Sequence, residues 1–189
     1  ELTQYLYGDK TNETWKAGVK VSQSINFPDL ENRTFADAPF NLVASATSEL
    51  PVSFEIVSGP ATIAGSKLTL TGAGTITVKA IQEGNENFTP AKGVSRTFKV
   101  SKAAQIINIA EFKDKTFGDA GFILSASSTS GLAVNFELVS GPATLVGNKL
   151  TPTGTGTVTV KAVQEGNENF TPAGAVIRTI TVNKADQMI

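Results

Sequence analysis

Residues 82–91 read QEGNENFTPA, and residues 164–173 repeat these ten letters without a change. A second match joins VSGPAT at residues 57–62 to the same letters at residues 139–144. Both pairs are offset by about 82 residues, and residues 23–104 align with residues 105–186 without a gap at roughly 60% identity. A single offset held over this length indicates tandem repetition. We therefore predict two copies of one module, at 23–104 and 105–186.

The repeat phase continues beyond the second copy. Gln187 stands in the phase of Gln105, and Ile189 stands in the phase of Ile107. We expect residues 187–189 to begin a further repeat or a linker. Residues 1–22 do not follow the repeat and are interpreted as the end of a preceding domain or an N-terminal extension.

Within each copy, short runs of alternating apolar and polar residues are separated by Gly, Pro, Asn and Asp. Ile76, Val78 and Ala80 alternate with polar neighbours, and the same alternation through residues 40–46 predicts one strand there. Such period-2 runs are typical of half-buried strands. With no helical pattern between them, they predict an all-β fold of two Greek-key β-sandwiches arranged end to end.

The joint between the copies is short. Residues 100–106 contain neither Gly nor Pro and no Ser-rich stretch, whereas flexible linkers are rich in Gly and Ser. The sequence therefore predicts a stiff pair of modules.

Composition excludes several kinds of function. The 189-residue chain carries a net charge of −1 and contains no His and no Cys. Near-zero charge gives no electrostatic reason to bind nucleic acid, and no apolar run is long enough for membrane insertion. Without Cys and His, a disulfide framework and Cys–His or Ser–His catalysis are excluded. We predict a non-enzymatic protein without a cofactor.

Several motifs together resemble bacterial immunoglobulin-like repeats of large secreted and cell-surface proteins. They are the GDAGF run at 118–122, SGPA at 58–61, LTLTGAGT at 68–75, QEGN at 82–85 and VNKA at 182–185. The resemblance implies immunoglobulin-like modules that act as spacers or adhesive stalks. Three features depart from the family pattern. Phe88 and Phe170 stand where the family often has Tyr, Glu49 replaces a turn Gly, and Pro152 replaces the core-facing counterpart of Leu70. Proline is expected to shorten or bulge that strand.

Acidic residues at repeated positions allow two interpretations. Asp37 and Asp119 are predicted to fix loops as Asx-turns, with calcium ligation as the alternative. Glu83 and Glu86 lie in a loop rich in oxygen ligands that is predicted to be structural, with a weak calcium site as the alternative.

Other residues are predicted to have structural roles. The aromatic set Phe35, Phe40, Phe54, Phe88 and Phe98 is interpreted as core. Glu55 and Lys79 face outward on strands that would pair side by side, so we predict a cross-strand ion pair.

The Tyr and Trp residues of the chain, Tyr5, Tyr7 and Trp15, all fall within residues 1–22. Flat aromatic rings with a polar edge suit a surface that contacts sugars. The main hypothesis is a monomeric, secreted or surface-anchored spacer whose partners are neighbouring domains of the same chain. The alternative is an adhesive or carbohydrate-binding module that uses these aromatic residues or exposed loops to bind extracellular polysaccharide or a host or cell-surface ligand.

Overall fold

The computed structural model describes residues 19–186, and all regular elements in this part are β-strands. In the described part, no helix is long and apolar enough to cross a bilayer. The first repeat contains β1 (Ile25–Asn26), β2 (Arg33–Thr34), β3 (Phe40–Asn41), β4 (Ser45–Ala46), β5 (Ser53–Ser58), β6 (Ala61–Ala64), β7 (Lys67–Leu70), β8 (Gly74–Ile81) and β9 (Val94–Ser101).

The second repeat contains the counterparts of these strands. They are β10 (Ile107–Ile109), β11 (Lys115–Thr116), β12 (Phe122–Ile123), β13 (Ala126–Ser128), β14 (Asn135–Ser140), β15 (Ala143–Val146), β16 (Lys149–Pro152), β17 (Gly156–Val163) and β18 (Val176–Asn183).

Each repeat folds into two facing sheets. In the first repeat, a four-stranded sheet has the order β2-β9-β8-β5, and a three-stranded sheet has the order β3-β7-β6. The short strands β1 and β4 pair with each other. Strand β2 runs parallel to β9, whereas the other strand pairs of this repeat are antiparallel. The second repeat reproduces this topology strand for strand. The predicted fold is confirmed: the chain forms tandem immunoglobulin-like β-sandwiches.

The core of each sandwich lies between the facing sheets. Ile76 and Val78 of β8 are fully buried against Leu68 of β7, so the predicted inward alternation of β8 is confirmed. In the second repeat, Val158 and Val160 pack with Leu150 in the same way.

Two details of the strand prediction were wrong. Residues 40–46 form two strands rather than one, because the chain changes partner: β3 pairs with β7, and β4 pairs with β1. The alternation of buried and exposed side chains nevertheless continues through this change of partner, since Leu42 and Ala46 are both buried.

Pro152 neither shortens nor bulges β16, which matches β7 in length and register. Thr153 N donates to Pro142 O. Donors alternate along an antiparallel pair, so position 152 directs its nitrogen away from β15. On that other side, β12 does not reach position 152, because β12 begins at Phe122, which lies opposite Leu150. Proline therefore costs the ladder no hydrogen bond.

The predicted cross-strand ion pair is confirmed. Lys79 Nζ lies 3.0 Å from Glu55 Oε1, and these two residues are direct partners between β5 and β8. The second repeat has the same pair, with Lys161 Nζ 3.0 Å from Glu137 Oε2.

Candidate functional site: the junction between the repeats

The connection between the two sandwiches is a single residue long. Ser101 ends β9, and its carbonyl oxygen accepts a hydrogen bond of 2.8 Å from Phe35 N in the first repeat. Ala103 already belongs to the hydrogen bonding of the second repeat: its nitrogen donates to Asn169 O, and its oxygen accepts from Thr171 N, both at 2.9 Å. Only Lys102 lies between these two anchored residues.

Lys102 is itself attached to the second repeat. Its Nζ donates a hydrogen bond of 2.7 Å to Asn167 O. The side chain is exposed, so this bond adds little to stability. It ties the side chain of the connecting residue to the loop of the second repeat.

A side-chain bond joins the sandwiches beside the connection. Ala73 N, in the turn between β7 and β8, donates to Asn169 Oδ1 at 2.8 Å. The neighbouring Gly72 is buried, and a Cβ there would lie 3.1 Å from both Asn169 Oδ1 and Pro60 Cβ. The turn can approach the asparagine because position 72 has no side chain.

An aromatic pair forms the apolar part of the junction. Phe35 of the first repeat and Phe170 of the second meet edge to face, with ring centroids 5.4 Å apart and an interplanar angle of 85°. Pairs with this geometry contribute about 0.5–1.5 kcal/mol beyond the area they bury. The junction thus combines backbone pairing, a side-chain hydrogen bond and an aromatic contact.

The loop that carries Asn169 and Phe170 is shaped from within. Asn167 Oδ1 accepts hydrogen bonds from Asn169 N at 2.8 Å and from Phe170 N at 2.9 Å. These bonds fold the loop back on itself. They leave Asn169 Oδ1 directed at Ala73 of the first repeat and Asn169 O directed at Ala103 of the connecting segment.

A buried glutamine pair holds the base of this loop. Gln105 Nε2 donates to Gln164 Oε1 at 2.5 Å and to Thr171 O at 2.8 Å. Gln164 Oε1 also accepts from Gly166 N at 2.5 Å, and Ser130 Oγ donates to Gln105 Oε1. Buried amides with satisfied partners fix one local geometry, because any rearrangement leaves a polar group unpaired. The same pair recurs in the first repeat as Gln23 and Gln82.

The repeated aspartates bond within their own turns, and the turn closed by Asp37 carries the junction residue Phe35. Asp37 Oδ2 accepts from Thr34 N, and Asp119 Oδ2 accepts from Thr116 N, both at 2.9 Å. The carboxylates fix turns, as expected, but the Asx-turn assignment was wrong. An Asx-turn bonds to a donor two residues later, whereas these carboxylates close a turn backward to a donor three residues earlier.

The acidic residues considered for calcium are not gathered into one place. Asp37 and Asp119 each bond to their own turn, and Glu83 and Glu86 are exposed. Within residues 19–186, no three His, Cys, Asp or Glu side chains are grouped as a metal site would require. The aromatic candidates Tyr5, Tyr7 and Trp15 lie outside the described residues.

The aromatic set considered as core divides in two. Phe98 is buried, with Phe40 tilted edge-on against it, and Phe54 packs against Phe27. Phe35 touches the core but also makes the contact with Phe170 across the junction. Core packing alone therefore does not account for Phe35.

Open clefts in the described part of the chain include two with defined linings. The larger, about 600 Å³, lies beside β14 and β15 and is lined by Val134, Asn135, Phe136, Leu138, Leu145, Gly147 and Asn148, none of them ionisable. The other, about 500 Å³, lies at the junction between the Ala73–Gly74 turn, the segment Lys99–Lys102 and Glu168 with Thr171.

Sequence reasoning missed the junction residues Asn169, Ala73 and Lys102. The contact between Ala73 and Asn169 joins positions 96 residues apart, so no local sequence pattern predicts it. One signal was available. An exposed loop that is identical in two copies, while the adjoining strands differ, indicates a constraint beyond the fold of the loop itself.

No family model and no curated protein matches the chain. Among solved structures, it is similar to Drosophila N-cadherin EC1-4, with 12% identity and a TM-score of 0.33, over 87% of this chain and 50% of that chain. It is similar to the D00-D0 domain of intimin, with 19% identity and a TM-score of 0.32, over 82% of this chain and 98% of that chain.

It is also similar to the insect immune protein hemolin, with 15% identity and a TM-score of 0.38, over 93% of this chain and 49% of that chain. The chain thus spans about half the length of the N-cadherin and hemolin structures. At these identities and TM-scores, the likeness transfers no function to this chain.

Proposed function

We propose that the chain is a non-catalytic spacer in a secreted or surface-anchored bacterial protein, where it sets the distance and direction between other domains. The observation that carries the proposal is the one-residue connection. Ser101 is hydrogen-bonded into one sandwich and Ala103 into the next. A chain held on both sides of Lys102 has few rotatable bonds left with which to bend.

The contacts around the connection support the same role. The Ala73–Asn169 bond and the Phe35–Phe170 pair lie beside Lys102. A bend at Lys102 that separates the sandwiches on this side would break both contacts. They are small contacts, each expected to contribute about 1 kcal/mol. Their effect is therefore on orientation, whereas each core stabilises its own sandwich, as in other repeat arrays.

A test of the proposal is to loosen the connection without disturbing either core. Four residues, Gly-Ser-Gly-Ser, are inserted between Lys102 and Ala103, and ¹⁵N relaxation and small-angle scattering are measured. In the unmodified chain, we expect both repeats to tumble as one body, with a radius of gyration above the ~16 Å of a compact domain of this length. The insertion should let the repeats tumble separately.

The matched control places the same four residues after Gly65, in the β6–β7 turn. A Cβ at Gly65 would meet no atom within 4 Å, so this turn has room and lies away from the junction. The control should tumble like the unmodified chain. Independent tumbling of the repeats in the unmodified chain would refute the spacer role.

Adhesion is the second candidate, favoured by the concentration of Tyr5, Tyr7 and Trp15 in the first 22 residues. Its test is binding to insoluble polysaccharides and a glycan array, by the chain and by Trp15→Ala. The exposed aromatic Phe117, which lies outside that segment, gives the control Phe117→Ala. Binding that is lost only in Trp15→Ala would support adhesion, and no binding by the unmodified chain would reject this glycan-binding role.

A further inference from the structure

The far end of the second repeat carries the same surface that the first repeat uses at the junction. We call this surface the tail face: Phe35, the Gly72–Gly74 turn and Lys102 in the first repeat, and Phe117, the Gly154–Gly156 turn and Lys184 in the second. The opposing surface, the head loop, is residues 85–88 in the first repeat and 167–170 in the second. Both head loops read Asn-Glu-Asn-Phe.

Burial differs between the two tail faces in the places that the junction covers. Phe35 is half-buried, whereas Phe117 is 47% exposed. Gly72 is buried with Asn169 Oδ1 beside it, whereas the position of a Cβ on Gly154 has only Pro142 nearby among the described residues. The second tail face is thus an uncovered copy of a surface that is covered in the first repeat.

The connecting segment repeats this difference. Ala103 is 8% exposed because it pairs with the head loop of the second repeat. Its counterpart Ala185 is exposed, as is Lys184, the counterpart of Lys102. The backbone that would pair with another head loop is therefore present and unoccupied by any described residue.

We propose that the tail face of the second repeat is a docking site for the Asn-Glu-Asn-Phe head loop of a further copy of this repeat, joined to the chain after Asp186. The inference rests on the proposed spacer function and adds its partner and its contacts. Thr155 N would donate to the side-chain oxygen of the incoming asparagine, as Ala73 N does to Asn169. Phe117 would meet the incoming phenylalanine, and Lys184 Nζ would donate to the loop carbonyl that corresponds to Asn167 O.

The groups that form the observed junction are largely retained on the tail face of the second repeat. Ala73 is replaced by Thr155, but the bond at this position is made by a backbone N–H that both residues possess. The glycine that permits close approach is kept at position 154, and the aromatic ring is kept at position 117. Three of the contacting groups are thus unchanged.

The experiment extends the full chain from residue 186 with a second copy of residues 105–186. Amide hydrogen exchange is then followed by NMR at Thr155 and Ala73. We expect the exchange of Thr155 N–H to slow by at least about threefold in the extended chain, as expected for gain of one hydrogen bond. Replacing the asparagine of the added copy that corresponds to Asn169 by Ala should restore the original rate.

Ala73 provides the internal reference. Its amide is bonded to Asn169 in every sample, so protection at Ala73 reports the junction on which the spacer function rests. If Ala73 is protected and Thr155 exchanges unchanged beside a folded added copy, the docking inference is overturned and the spacer role stands. If neither amide is protected, the junction itself does not hold the repeats and both proposals fail.

Discussion

The side-chain oxygen of Asn169, in the second sandwich, lies 2.8 Å from the backbone nitrogen of Ala73 in the first. This side-chain hydrogen bond joins residues 96 positions apart in the chain. It helps to hold the two sandwiches in one orientation. Asn169 is not part of either hydrophobic core. The contact between the sandwiches can therefore be removed without disturbing either core.

Replacing this asparagine is expected to loosen the junction and leave the sandwiches intact. Asn169→Ala removes the acceptor for Ala73 N, so exchange of the Ala73 amide should accelerate about three- to tenfold. The loop keeps its shape, because its internal bonds use Asn167 Oδ1 and the backbone of residue 169. Asn87→Ala, the same change in the first repeat, is the control and should leave Ala73 exchange unaltered. Equal effects of the two variants would contradict the assignment.

The turn at Glu49 is expected to be strained. Glu49 has φ of 63°, in the left-handed region that disfavours residues with a Cβ. Its counterpart Gly131 has φ of 76° in the same turn. Glu49→Gly should therefore raise the free energy of unfolding of the first repeat by up to about 1 kcal/mol, measured by urea unfolding.

The matched change in the second repeat should have the opposite sign. A Cβ at Gly131 would meet nothing within 4 Å, so Gly131→Ala tests the backbone angle without a clash. We expect a loss of about 1 kcal/mol. A stabilising effect of Gly131→Ala would show that the turn carries no strain.

The buried glutamine pair is expected to behave as a unit. Gln164→Leu removes the acceptor for Gly166 N and for Gln105 Nε2, and unpaired buried groups cost about 1–3 kcal/mol each. Gln105→Leu should be destabilising for the same reason. The double variant should cost clearly less than the sum of the single ones, because no partner is left unpaired in the pair itself. Additive losses in urea unfolding would rule out this coupling.

The exposed ion pairs are expected to matter little. The side chains of Lys79 and Glu55 are 41% and 49% exposed, so solvent and salt screen their attraction. Lys79→Ala should lower the free energy of unfolding by less than about 1 kcal/mol, and the loss should shrink in 1 M NaCl. Glu137→Gln tests the second pair with the same expectation. A loss that is large and independent of salt would mean that Lys79 acts through packing.

The sequence predicted the sandwiches well because their strands are encoded locally. Alternation along Ile76, Val78 and Ala80 is a property of consecutive residues, and each of the three is fully buried. The break between β3 and β4 was missed because it depends on a change of partner strand. Alternation reports which way side chains face, but it does not report which strand lies alongside.

The junction was beyond prediction from local patterns. Phe35 follows the alternation of a core residue, and the sequence does not distinguish its second contact with Phe170. The lack of Gly and Pro in residues 100–106 predicted a stiff joint. It could not indicate that Ser101 and Ala103 are anchored in different sandwiches.

The parallel pairing of β2 with β9 has a consequence for a chain that is pulled. Arg33 lies opposite Val100, and Thr34 lies opposite Ser101, immediately before the connection at Lys102. Tension transmitted through Lys102 draws β9 along its own length, past a strand that runs in the same direction. The inter-strand hydrogen bonds are then loaded in shear and share the force, whereas bonds pulled open from one end of a hairpin break one after another. The last strand of each sandwich is thus loaded in shear, which resists an extending force better than opening the hydrogen bonds one by one.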